Sequence, residues 1–184
     1  MRTAPDTVQI GKRVFSVFID EATLRKRVKE LGENITRDYH GKTPYFLMIL
    51  KGSFVFGADL IRAYDGFCET GFIKLSSYEG TSSTGTVKRG QFPSDLAGKD
   101  IIIVEDIIDS GLTMNQFIKD LKEQSPNSIA VVSLFVKPEA IQHEVQIDYR
   151  GFDIPNAFII GYGLDLDEKA RNLRQIYQLG TQSE

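Results

Sequence analysis

A chain of 184 residues, 41% apolar and 26% charged, suits one soluble globular domain with a sizeable core. Its formal net charge of −3 counts against a non-specific nucleic-acid binder, which would ordinarily be basic. One cysteine, Cys68, excludes a disulfide framework within the chain, Met1 to Gln9 lack the apolar run of a signal peptide, and no stretch reaches the ~18 apolar residues of a membrane span, so a cytoplasmic protein that touches no membrane is expected.

In chain order, residues 1–12 read as a frayed arm and Val14 to Ile19 as a short strand. Asp20 is a good N-cap for an amphipathic helix whose apolar face is Leu24, Val28, Leu31 and Ile35, ending near His40-Gly41. That helix carries no chemistry. Tyr45 to Leu50 is the first buried strand; it runs into Lys51-Gly52-Ser53 and a helical pattern through Phe54, Ala58, Ile61 and Arg62. Taken alone this is a simple strand–helix turn. Cys68 reads as a plain buried core residue, and the next strand spans Phe67 to Tyr78. The run Glu79 to Thr86 is small, polar and glycine-bearing, so it cannot pack a core. A closing lid is the useful expectation for such a loop, with Val87 to Phe92 as a returning strand.

Ile101 to Thr113 organises the rest. Three isoleucines and Val104 form a strand buried on both faces. Glu105, Asp106 and, after two isoleucines, Asp109 follow, and then Ser110-Gly111-Leu112-Thr113 turns into a helix. Gly111 can take a positive φ there, and the hydroxyls of Ser110 and Thr113 join the free N–H groups of the first helical turn to make an anion cradle. In open α/β sheets this end of the strands is where ligands bind. Acidic residues after a strand often just open a helix, but capping needs one carboxylate, and several packed together repel unless a cation joins them. The nucleoside-triphosphate P-loop is rejected: Leu112 stands where its lysine would be and its first glycine is absent.

Beyond, a helix runs through Met114, Phe117, Ile118 and Leu121 and stops before Ser125-Pro126-Asn127. Ile129 to Val136 is another buried strand, with Lys137 at its edge; alone, that lysine reads as solvated. Tyr149 to Ile154 is a short mixed segment, Ala157 to Ile160 the last core strand, and Gln175 to Leu179 a small terminal strand. Between them lie Gly161-Tyr162-Gly163-Leu164-Asp165, then Asp167, Glu168 and Arg171. Alternating strands and helices predict an α/β fold: a twisted, mainly parallel five-stranded sheet flanked by helices, in a single domain. The core is expected at about 42–160, a small hood from the N-terminal arm and about 161–184, and a mobile loop at about 78–95.

The run Val104 to Thr113 resembles the phosphoribosyl diphosphate (PRPP) loop of the type I phosphoribosyltransferases, in the form of their hypoxanthine-guanine branch. Three further blocks resemble the same family in the same order: Leu50-Lys51-Gly52-Ser53 its pyrophosphate loop, Ser77-Tyr78 the base of its mobile loop, and Phe158 to Asp165 with Arg171-Asn172-Leu173 its C-terminal signature. The resemblance implies an enzyme of purine salvage that joins a 6-oxopurine at N9 to C1′ of PRPP with Mg²⁺, giving IMP or GMP and pyrophosphate. It implies a cis peptide between Leu50 and Lys51 and a homodimer or homotetramer with no nucleic-acid partner.

The roles it implies are these. Glu105 and Asp106 hold the ribose hydroxyls and, with Asp165, the metal; Asp109 is the proton-handling catalytic group near purine N7. Asp109, Ser110, Gly111, Leu112 and Thr113 cradle the 5′-phosphate. Lys51, Gly52 and Arg171 contact pyrophosphate, with Ser77 and Tyr78 closing over it. Lys137 donates to purine O6, Phe158 stacks on the base and the Ile159 carbonyl accepts from its Watson–Crick edge. Departures from the family pattern are Leu112 in place of a lysine, Ser53 in place of a glycine, and Leu166 and Ala170 in place of aromatic residues. The rival readings are a PRPP-sensing regulator of the same fold that binds RNA or DNA, and a metal-dependent phosphatase with Asp106 or Asp109 as nucleophile.

Overall fold

The computed structural model describes residues 4–76, 88–89 and 91–180. In chain order the elements are β1 (Thr7–Ile10), β2 (Arg13–Ile19), α1 (Glu21–Asp38), β3 (Tyr45–Leu50), α2 (Phe54–Ala63), β4 (Glu69–Ser76), β5 (Lys88–Arg89), β6 (Asp100–Ile108), α3 (Leu112–Lys122), β7 (Ser128–Val136), β8 (Tyr149–Asp153), β9 (Ile159–Ile160) and β10 (Ile176–Leu179). The main sheet has the order β5-β4-β3-β6-β7-β8. Five of these strands are parallel, and β5 pairs antiparallel with the edge of β4.

The apolar runs explain why the sheet is covered on both faces. Along β3, Phe46 and Met48 pack with Leu24, Val28 and Leu31 of α1 and with Phe56 and Leu60 of α2. Tyr45, Leu47 and Ile49 point the other way, into a cluster with Met114, Phe117 and Leu121 of α3. In β6, Ile101 to Val104 are all fully buried. Each such side chain contributes roughly 1.5–3 kcal/mol. Asp20 caps α1 as its sequence position predicts, accepting from the Thr23 N–H at 2.7 Å.

Side-chain alternation along β6 slips by one residue at the site. Ile102 and Val104 face the α1/α2 core and Ile101 and Ile103 the α3 core. After Glu105 and Asp106 the phase is reversed, with Ile107 against the first core and Ile108 against the second. A strictly alternating strand would send one of the adjacent carboxylates toward each core. The slip relieves that demand where the strand reaches the ligand edge.

A second, antiparallel sheet of order β1-β2-β10-β9 forms the hood, closed over Phe15, Ile160, Leu166 and Tyr177. Three expectations are corrected here. The first twelve residues are not merely a frayed arm, because Thr7 to Ile10 pair in register with Arg13 to Ser16. Ala157 to Ile160 is not a core strand: only Ile159 and Ile160 are extended, and they pair with β10 in the hood. The fifth parallel strand is instead Tyr149 to Asp153, whose mixed pattern reflects its position at the open edge of the sheet. Cys68 is only partly buried, packed on the core margin rather than within it.

Candidate active site

The C-terminal ends of β3 and β6 and the hood turn after β9 enclose a cavity of about 470 Å³. That is within the range of small-molecule sites. Its lining includes Lys51 and Gly52 after β3, Glu105 to Gly111 and Thr113 around the end of β6, and Asp165 and Arg171 from the hood. These residues lie up to 120 positions apart in the chain. The parallel strands β3 and β6 end on one side of the sheet and bring the first two groups together, and the hood supplies Asp165 and Arg171.

The turn from β6 into α3 has the backbone form expected from the sequence. Gly111 has φ +79° and precedes the first residue of α3. A Cβ there would meet the His143 carbonyl oxygen at 2.4 Å. The segment carrying His143 braces the turn, its Gln142 and His143 N–H groups both donating to the Ser110 carbonyl at 3.0 Å. Ser110 Oγ accepts from the Leu112 N–H at 3.4 Å. Leu112 is 40% exposed and lies outside the cavity lining, so the cradle relies on backbone N–H groups and hydroxyls.

The peptide bond between Leu50 and Lys51 is cis, as the resemblance implied. Ser53 is fully buried and its hydroxyl donates to the Ile49 carbonyl at 2.5 Å, which ties the turn back to β3. Gly163, at φ +104°, fits against this turn so closely that a Cβ would fall 2.1 Å from the Gly52 carbonyl oxygen. The hood therefore rests directly on the Lys51-Gly52 turn. Arg171 closes it from the hood side: its guanidinium donates to the Gly163 carbonyl at 2.8 Å and pairs with Asp165 at 2.7 Å and Glu168 at 3.2 Å. Glu168 also pairs with Lys51 at 2.9 Å. The hydrogen bonds from Lys51 and then Arg171 hold the Glu168 carboxyl below its usual range.

Glu105 and Asp106 lie deep in the site. Burial, and then the Asp106 charge, push Glu105 well above the usual carboxylate range. Asp106 is raised to about 6, first by burial; backbone hydrogen bonds and Arg171 pull it down, while Asp165 adds to the rise. Glu105 Oε2 is buried without a hydrogen-bond partner, as is Arg171 Nε. Such orphaned groups cost free energy and are available to a ligand. Among the described residues no three His, Cys, Asp or Glu converge into a metal cage. Hard oxygen donors in pairs, one of them orphaned, fit Mg²⁺, which takes one or two carboxylates and completes its shell from substrate and water.

Lys137 is not the solvated lysine that its position alone predicted. It is 9% exposed, and its ammonium pairs with Asp109 at 2.7 Å. Phe158 stands at the hood margin, 46% exposed, tilted against Phe15 at 6.3 Å between ring centroids. Ile159 is buried and paired with Gln178 in the hood sheet. Neither Phe158 nor Ile159 lines the cavity itself. Ser77 and Tyr78 lie outside the described residues, as does the run 79–86 named as a lid. Sequence reasoning missed the role of Glu168 between two cations; its clustering with Asp165 and Asp167 was the available signal, but it carried no partner.

Fold and site together define an α/β domain of the open-sheet class, with a glycine-bearing turn into a helix, paired carboxylates and the hood cation Arg171 around one strand-end cavity. The description "phosphoribosyl transferase domain" matches residues 20–167, and the chain belongs to that family. The hypoxanthine-guanine phosphoribosyltransferase of Lactococcus lactis is 43% identical to it over 166 residues, covering 89% of this chain and 90% of that protein. The protein of the same name from Bacillus subtilis is 41% identical over 162 residues, covering 87% and 90%. A crystal structure of a Bacillus anthracis hypoxanthine-guanine phosphoribosyltransferase superposes with a TM-score of 0.84 at 41% identity, covering 90% of this chain and 97% of that one.

Proposed function

We propose that this protein transfers the 5-phosphoribosyl group of PRPP to N9 of hypoxanthine or guanine, releasing pyrophosphate and forming IMP or GMP in purine salvage. The observation that carries the base assignment is the buried Lys137 ammonium held 2.7 Å from Asp109 beside the phosphate cradle. Lysine can only donate and a carboxylate can only accept. The pair complements the O6 acceptor of a 6-oxopurine and the proton on its imidazole edge. Adenine would put an amino donor against the buried Lys137 ammonium and is rejected.

In the reaction the bond from C1′ to the pyrophosphate oxygen breaks, the bond from C1′ to N9 forms, and the purine gives up one proton. Asp109 accepts that proton near N7, and its charge stabilises the cationic ribose. Glu105 and Asp106 accept from the ribose hydroxyls. The Asp109–Thr113 cradle holds the 5′-phosphate. Lys51, the Gly52 N–H and Arg171 stabilise charge growing on the leaving pyrophosphate, with Ser77 and Tyr78 assigned to close over it. Glu105, Asp106 and Asp165 would hold Mg²⁺, directly or through water, and the ion would supply charge neutralisation at the pyrophosphate. Phe158 stacks on the base and the Ile159 carbonyl reads its Watson–Crick edge.

The reading includes a homodimer or homotetramer in the cytoplasm. Phe54, 44% exposed, follows the Lys51 turn directly, and Phe72, 53% exposed, lies on β4; both are candidates for cover by a second copy. No helix among the described residues is long and apolar enough to cross a membrane. The test is product formation from PRPP, Mg²⁺ and each of hypoxanthine, guanine, xanthine and adenine. IMP and GMP without AMP are expected. PRPP binding with no transfer to any base would overturn the enzyme in favour of a PRPP-sensing regulator.

A further inference from the structure

Glu168 belongs to no role derived above, yet its two carboxylate oxygens face the two cations assigned to pyrophosphate. Oε1 lies 2.9 Å from Lys51 Nζ, and Oε2 lies 3.2 Å from Arg171 Nη2. Lys51 comes from the turn after β3 and Arg171 from the hood, so the carboxylate bridges the two halves of the site. A carboxylate spanning two cations through separate oxygens has the geometry of a phosphoryl group doing the same. The surrounding turn presents the residue outward: Asp167 and Glu168 both have positive φ, +52° and +63°, and the Glu168 N–H donates to Asp165 Oδ2 at 2.8 Å. The side chain is 64% exposed and that of Lys51 51%, so the bridge is weak and easily opened.

We infer that Glu168 is an internal stand-in for pyrophosphate, occupying Lys51 and Arg171 when the leaving-group subsite is empty and competing with the anion for them. This rests on the assignment of those two cations to pyrophosphate. Pyrophosphate entering with PRPP displaces the carboxylate. After the transfer, Glu168 returns to the same cations and lowers the affinity for the product that must leave. The arrangement spares Lys51 and Arg171 from facing each other uncompensated across the hood contact. It also limits how tightly pyrophosphate can be held, because the anion must displace Glu168 from both cations before it can pair with them.

The experiment is calorimetric titration of the full-length protein with pyrophosphate in the presence of Mg²⁺, comparing wild type, Glu168→Gln, Lys51→Met and the double variant. Glu168→Gln keeps the side-chain shape and removes its charge. Pyrophosphate is expected to bind it about three- to tenfold more tightly than wild type, with pyrophosphate a correspondingly stronger product inhibitor and hypoxanthine affinity unchanged. In the Lys51→Met background the gain from Glu168→Gln should shrink, because one of the two contested cations is gone. Unchanged or weaker pyrophosphate binding by Glu168→Gln, with Lys51→Met still weakening it, overturns the stand-in while leaving the subsite assignment intact. If Lys51→Met does not weaken pyrophosphate binding, the subsite assignment fails and the inference fails with it. Circular dichroism on each variant separates these outcomes from misfolding, and Glu168→Ala serves as a second charge-removing variant.

Discussion

At the scale of single residues, the site is governed by which charges are buried and what each faces. Lys137 and Asp109 are a matched pair of donor and acceptor at 2.7 Å. Replacing Lys137 with Met should lower kcat/KM for hypoxanthine by roughly 10- to 100-fold, the worth of a charged hydrogen bond. Adenine should lose much less, so the ratio of the two bases reads the effect directly. Asp109→Asn keeps the shape but cannot take the proton; kcat should fall by about 100-fold or more with the KM for PRPP little changed. Equal losses in both parameters would argue that Asp109 only positions the ligand. The identity of Asp109 and its place after an apolar run were visible in the sequence. The ion pair was not, because its partner lies 28 residues away, just past the end of the next strand in sequence, and only parallel pairing of β6 with β7 sets the two ends side by side.

Elements were legible in proportion to how many of their faces are buried. Tyr45–Leu50, Ile101–Val104 and Ile129–Val136 announce themselves because a strand covered by helices on both sides is apolar throughout. Tyr149–Asp153 was ambiguous because an edge strand has one flank open, and Ile159–Ile160 was assigned to the wrong sheet because apolar residues indicate burial without saying in which core. The turn at Asp109 to Thr113 was readable, since Gly111 can take the positive φ found at the entry to α3. What the sequence did not indicate was how the hood seats on it. Gly163 packs on the Gly52 carbonyl at a positive φ, so Gly163→Ala should destabilise the protein by about 1–3 kcal/mol. It should also raise the KM for PRPP more than that for the base, because Lys51, Gly52 and Arg171 all adjoin the contact. Urea denaturation and steady-state kinetics on the same variant check both effects.

For the whole molecule, burying carboxylates for a ligand has a consequence for stability in its absence. Asp106 has a native pKa of about 6 against an ordinary 3.8. The native state therefore binds more protons than the unfolded chain between those values, and stability falls as pH rises through the window. The stability associated with protonated Asp106 is fully present below about pH 4 and lost above about pH 6. Asp106→Asn removes this dependence, so its stability relative to wild type should rise across that interval and then level off. The gain should be at most about 3 kcal/mol, reduced by the partial exposure of the side chain. Denaturation midpoints of the ligand-free proteins at several pH values measure it, and a flat difference would show that Asp106 ionises freely.

The sequence by itself determined the layered α/β plan, the strand ends that bear chemistry and the family they belong to. These depend on local rules: which residues bury on two faces, which turn, and which cradle an anion. Only the tertiary structure decided that Lys137 faces Asp109, that Glu168 spans Lys51 and Arg171, and that Ile159–Ile160 serve the hood rather than the core. Those contacts join residues far apart in the chain. Which carboxylate meets which cation depends on strand order and on the slip along β6, and no local pattern of residue types encodes either.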